Sequence, residues 1–210
     1  MTNTLHRQGT VEELKGDYVI FTTTARDITK EGSAPKIHEF LRICQKYNPV
    51  NTGSSKKGNL LQDGMEVDEL IAGLGDGATS AAVFTDLDSL KKVIGELIEA
   101  DLGISINVSG LLDGVQECCR AGGTERHSVE QSLGFWGAND QLPERDVLAL
   151  NSLCGHGLVS FNFIHKMIDY VKMRKLTPEE AARIMGKSCE CGVFNTVRAA
   201  KLLEKMLLEP

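Results

Sequence analysis

"SAAVFTDLDSLKKVIGELIEADLGISINVSG", residues Ser80–Gly110, is the stretch from which the fold is read. Its opening "SAAVF" is small, β-branched and aromatic, and predicts a strand. Asp86 or Asp88 then stands where a helix takes its N-cap. In "SLKKVIGELIEA" the apolar residues Leu90, Val93, Ile94, Leu97 and Ile98 recur at helical spacing and form one face. "GISINVSG" follows as a second strand. Strand, helix, strand within about thirty residues predicts a βαβ crossover or one half of a ferredoxin-like α/β sandwich.

Working outward toward the N-terminus, "DYVIFTTTA" (Asp17–Ala25) reads as another strand. "GSAPKIHEFLRICQKYNP" reads as a helix with Ser33 as cap and Pro35 in its first turn. Its Ile37, Phe40, Leu41 and Cys44 fall at i, i+3, i+4 and i+7, so Cys44 belongs to the core. Residues 48–80 are glycine-rich and polar, interrupted by a short helical pattern at "VDELIAGL". On the other side, a helix is expected from Leu111 to Arg120, with Cys118 and Cys119 on the face built by Leu111 and Val115.

From Ala121 the composition shifts. "AGGTERHSVEQSLGFWGANDQLPERD" is a long polar connection, lid or linker, carrying the only tryptophan. Helices are expected beyond it at 143–153, 161–173, 178–186 and 194–208. "LTPEEAARIM" has Thr177 as cap, Pro178 at the first position and Glu180 to complete a capping box. The last helix buries Ala199, Leu202, Leu203 and Met206 and turns Arg198, Lys201 and Lys205 outward. The expected architecture is α/β in the α+β sense. An α/β domain, a βαβ-containing sandwich, spans 1–125, and a mostly helical segment, 126–210, carries the cysteine loops.

Bulk properties bound the function. In 210 residues, 41% hydrophobic and 25% charged, a packed core is expected instead of disorder. The formal net charge of −6 argues against non-specific binding of duplex nucleic acid. No apolar run is long enough to span a bilayer, and "MTNTLHRQGTVEELKGD" lacks the apolar stretch of a secretory signal. The expected location is therefore the cytoplasm, where thiols stay reduced and six cysteines read as core or cofactor residues.

Two of the cysteine stretches resemble each other. "CGHGLVSFNFIHKMIDYVK" (Cys154–Lys172) and "CECGVFNTVRAAKLLEK" (Cys189–Lys205) each place Cys-x-(His or Cys) just ahead of an amphipathic helix. Free amides and the positive end of the helix dipole favour a thiolate or another anion there. Pooled, the loops supply Cys154, His156, Cys189 and Cys191, a complete ligand set by type for zinc or an iron–sulfur cluster. Cys-x-Cys is tighter than a zinc-finger knuckle, and Gly155, Gly157 and Gly192 supply the freedom to converge. This favours a cluster or catalytic metal over a structural zinc. Asn162 and Asn195, just beyond the loops, are candidate donors to sulfur or a bound anion.

A second use for Cys154 is as a nucleophile, with His165 (oriented by Asp169) or His127 as base. His6 and His38 read as solvated. "GSSKKGN" lacks the Lys-Ser or Lys-Thr of a P-loop, and "GLGDGA" precedes a strand instead of joining strand to helix. In "VFTDLDSL" the aspartates serve more simply as helix caps than as a phosphoryl-transfer pair. The expected function is metal or iron–sulfur binding, as a redox or metal-dependent enzyme or an accessory protein for one. The competing expectation is a non-catalytic homodimeric regulatory or assembly module with packed cysteines. Residues 176–205 would then be a helix–turn–helix with Arg198 and Lys201 on its outer face, although the connection "GKSCECG" is long for that motif. Either way a homo-oligomer without membrane contact is expected.

Overall fold

The structure, a computed structural model, describes residues 7–208. In chain order its elements begin with α1 (Val11–Leu14), β1 (Tyr18–Thr23), α2 (Ala34–Gln45), β2 (Asn51–Ser54) and β3 (Gly58–Asn59). They continue with α3 (Val67–Ala72), β4 (Ser80–Phe84), α4 (Leu87–Ala100), β5 (Ser105–Ser109) and α5 (Leu112–Ala121). A 3₁₀ turn (Asn139–Gln141) then precedes α6 (Arg145–Ser152), α7 (Phe161–Lys172), α8 (Pro178–Lys187) and α9 (Thr196–Leu208).

The strands form one five-stranded sheet in the order β3-β2-β4-β1-β5, and every neighbouring pair is antiparallel. β4 and β5 therefore run parallel to each other with β1 between them. The unit read from Ser80–Gly110 is thus the split form of βαβ, and β1-α2-β2-β4-α4-β5 reproduces the ferredoxin-like succession. The architecture is mixed α+β: an N-terminal antiparallel sheet with helices, followed by a helical segment, α6 to α9.

Strand periodicity divides the core into two layers. Tyr18, Ile20, Ala82 and Phe84 pack with Ile37, Phe40, Leu41 and Cys44 of α2 and with Leu90, Val93 and Leu97 of α4. Val19, Ala81 and Val83 point to the opposite face, where they share a cluster with residues of α6 to α9. Successive strand side chains face opposite ways, so one sheet serves both layers. The helical segment is in this sense the second cover of the sheet.

Local signals account for most boundaries. The Asp86 carboxylate accepts from Ser89 N and caps α4. The Thr177–Glu180 capping box is complete, with Pro178 in the first turn of α8. Ser33 is the N-cap of α2 but makes no side-chain cap bond there; its hydroxyl instead joins Lys30 O and Gly77 N. The last helix begins at Thr196, capped by Asn195, whose Oδ1 accepts from Arg198 N.

One expected surface residue is buried. Arg198 is 3% exposed, not on the outer face, because Asp17 lies 2.6 Å from its guanidinium. His38 is also not simply solvated: it is half-buried and its Nε2 lies 2.7 Å from Leu74 O. His6 lies outside the described residues. Between α5 and α6 the chain has no helix or strand beyond the 3₁₀ turn, and Trp136 there is exposed. No helix among the described residues is long and apolar enough to cross a membrane.

Candidate functional site

The two cysteine loops occupy equivalent places, each leading from one helix into the next. Leu153–Val159 joins α6 to the Ser160 N-cap of α7, and residues 188–195 join α8 to α9. Gly155 (φ 72°), Gly157 (φ 74°) and Gly192 (φ 74°) take the left-handed conformation that turns these loops. At Gly192 a close approach adds to the requirement. A Cβ built there would stand 2.3 Å from Gly53 N and 2.5 Å from Gly53 Cα, so the loop lies backbone against backbone on β2.

Buried asparagines of the β2–β3 hairpin complete that attachment. Asn59 Nδ2 donates to the carbonyls of Cys189 (2.6 Å) and Gly186 (3.3 Å), and Asn51 Nδ2 donates to Phe194 O (3.2 Å). Strand β2, "NTGS", is buried at every position although it is polar. Its polar side chains are satisfied in place: Asn51 holds Phe194 O, Thr52 Oγ1 accepts from Gln45, and Ser54 Oγ accepts from Lys56 N.

At the sulfurs, the four residues pooled from sequence stand together. Cys189 Sγ lies 3.9 Å from Cys191 Sγ, and Cys191 Sγ lies 3.5 Å from His156 Nδ1. Cys154 lies close enough to Cys189 to interact with it electrostatically. Cys154 and Cys189 are fully buried, Cys191 is 8% exposed, and His156 is exposed. The cluster therefore runs from the interior to the surface.

Its electrostatics follow that direction. The interaction with Cys189 raises the Cys154 thiol far above the ordinary range, and burial adds to this against the amides of His156 and Leu158. For Cys189, the interaction with Cys154 pulls downward, but the bond to Cys191, burial and repulsion from Cys191 push it up to about 11. Cys191 moves the opposite way. The bond with Cys189 holds it below the usual cysteine range despite burial, aided by the Val193 amide. Negative charge therefore gathers first at the outermost sulfur, beside His156.

The spacing can be compared with a coordination sphere. Zinc–sulfur bonds of about 2.3 Å and zinc–nitrogen bonds of about 2.0 Å, at tetrahedral angles, give edges of about 3.8 and about 3.5 Å. The measured 3.9 and 3.5 Å are close to those edges. Yet among the described residues no group of three or more His, Cys, Asp and Glu side chains is arranged to hold a metal ion as it stands. Direct contacts link Cys189 to Cys191 and Cys191 to His156, and Cys154 acts electrostatically on both Cys189 and Cys191. The donor types and two edges fit a metal.

The remaining sequence candidates are placed elsewhere. Asn162 is exposed in the first turn of α7. Asn195 is engaged at both ends of its amide: Nδ2 donates to Gly16 O (2.9 Å) and Asp17 Oδ1 (3.0 Å), while Oδ1 caps α9. Cys118 is buried in the α2–α4 layer and Cys119 is half-buried beside it. His165 and Asp169 are exposed on α7, and His127 is exposed in the long connection, with its Nδ1 2.9 Å from Ser128 Oγ.

Sequence reasoning missed Arg7 and Asp17. Arg7 Nη1 donates to Ser152 O (3.1 Å) and to Leu153 O, and its Nη2 donates to Val193 O. Arg7 Nε stands 3.2 Å from the buried Asp17 carboxylate, which Arg198 also engages. An arginine near the chain start carries no periodic signal, and Asp17 reads only as the first residue of a strand. Comparison with protein-family models, with curated proteins and with solved structures finds no match to this chain.

Proposed function

We propose that this protein binds a single thiophilic metal ion, zinc or iron, through the thiolates of Cys154, Cys189 and Cys191 and the imidazole of His156. The observation that carries the reading is the 3.5 Å approach of Cys191 Sγ to His156 Nδ1, with Cys189 Sγ 3.9 Å behind. Three soft thiolates and an imidazole are the donor set of tetrahedral zinc and of thiolate iron. A cluster that spreads its cysteines over several irons would separate the sulfurs more widely, so one ion is the better fit. Loading requires the thiol protons to leave and the side chains to rotate toward a common centre. The exposed His156, between two left-handed glycines, is the ligand freest to make that rotation. A site reached through a solvent-facing imidazole suits a metal-dependent enzyme or an accessory protein that passes its ion on.

Anaerobic purification with metal and sulfide analysis tests this. About one zinc or iron per chain without sulfide, lost in Cys189→Ser and Cys191→Ser, is the expected result. Sulfide with a visible absorption band would replace the single ion by a cluster. A metal-free protein that takes up neither ion, even when reconstituted, would overturn the proposal. The lowered Cys191 thiol beside His156 would then favour a thiol nucleophile, recognisable by one fast-labelling cysteine.

A further inference from the structure

We infer that Arg7 is the positioning residue of the sulfur site, a single buried guanidinium that ties the Cys154 loop to the Cys191 loop. Its consequence for metal affinity rests on the proposed function; its consequence for loop geometry does not.

Both terminal nitrogens of the guanidinium have carbonyl acceptors. Nη1 holds the carbonyls of Ser152 and Leu153, the two residues before Cys154. Nη2 holds the carbonyl of Val193, two residues after Cys191. The amide of that same Val193 acts on the sulfurs of Cys189 and Cys191. One planar group therefore holds both the approach to Cys154 and the carbonyl of Val193, the residue whose own N–H, one peptide earlier, acts on the other two sulfurs. Arg7 is itself oriented by Asp17, its side chain only 5% exposed and that of Asp17 0%.

Charge adds to geometry. Two guanidinium groups, Arg7 and Arg198, meet one carboxylate, Asp17, leaving this buried group with one positive charge in excess. Three thiolates around a divalent ion carry one net negative charge, so the cluster beneath the loops complements the loaded site. Arg198 has a different task. It engages Asp17 and Gln8 O, and its bonds reach none of the three carbonyls that Arg7 holds.

That division supplies the control. Arg7→Lys and Arg198→Lys both keep a cation beside Asp17, but a lysine cannot span two loops as a planar fork does. Co²⁺ is the probe, read by its affinity and by the energy of its thiolate-to-metal absorption band. R7K should lower Co²⁺ affinity about 10–100-fold and shift the band, whereas R198K should keep the wild-type spectrum. Equal losses in both variants would reduce Arg7 to a general stabilising role and overturn the inference, as would an R7K protein indistinguishable from wild type. Iodoacetamide labelling of the metal-free native protein, mapped by mass spectrometry, separates this failure from that of the metal reading. R7K should expose Cys154 and Cys191 to alkylation about tenfold faster than R198K does, whether or not the wild type takes up Co²⁺. Unchanged labelling would refute the tie between the loops.

Discussion

Cys191 and Cys44 are the same side chain in two different surroundings. Cys44 lies in the apolar α2–α4 layer, where burial alone raises its thiol far above the ordinary range. Cys191 shares a hydrogen bond with Cys189, which favours its charged form and lowers it. Native-state alkylation across a pH series should therefore label Cys191 first, with a midpoint below that of a free cysteine, and Cys44 only much later. Cys189→Ala removes the shared bond and should move the Cys191 midpoint upward; an unmoved midpoint would reject this cause. Helical spacing marked Cys44 as a core position, but it gave no sign that Cys154, Cys189 and Cys191, in glycine-flanked loops, are buried in a hydrophobic cluster of their own. Arg198 was not legible. It flanks the apolar stripe of α9, and its burial depends on Asp17, far away in sequence, which no periodicity reveals.

Among the elements, those with an apolar rhythm were read and those without one were not. β1, β4, α2 and α4 alternate or recur as their burial demands, and the capping box of α8 stands where Thr177 and Glu180 imply. β2 gave no such signal. A strand of Asn, Thr, Gly and Ser is buried here because its polar atoms are satisfied by the Cys-x-Cys loop and by its sheet neighbours. The same feature makes the contact intolerant. Gly192→Ala would require a left-handed alanine and drive its Cβ into the main chain of Thr52 and Gly53. The expected loss is about 2–5 kcal/mol, measured as a lower urea midpoint with an unchanged slope. A variant as stable as wild type would show that the loop can stand off the strand.

In the whole molecule, one sheet shared by two layers makes the sulfur site dependent on parts of the chain that do not touch the sulfurs. Val19, Ala81 and Val83 of the sheet support the helices that end in the cysteine loops. Strand, helix, strand in Ser80–Gly110 was enough to anticipate a sandwich. It was not enough to place β1 between β4 and β5, since strand order is decided by long-range pairing. The buried ion cluster belongs to this scale too, joining the N-terminal segment to β1 and α9. Asp17→Asn would leave two guanidinium groups with no anion in a site from which water is excluded. It should cost about 3–5 kcal/mol in urea unfolding, far more than neutralising an exposed carboxylate such as Glu12. Equal costs would deny the cluster its importance.

Arg7 and Arg198 meet over a single carboxylate although almost the whole chain separates them. During vectorial synthesis, then, a ribosome must release α9 before that junction can close. Until it does, the thiols wait in an unfinished cradle, open to oxidation or to the wrong ion. Such closure is slow for a chain to find, because loop entropy must be overcome before any contact rewards it. On the proposed function, metal capture would accordingly follow the release of α9 and would not be timed by the first cysteine to emerge.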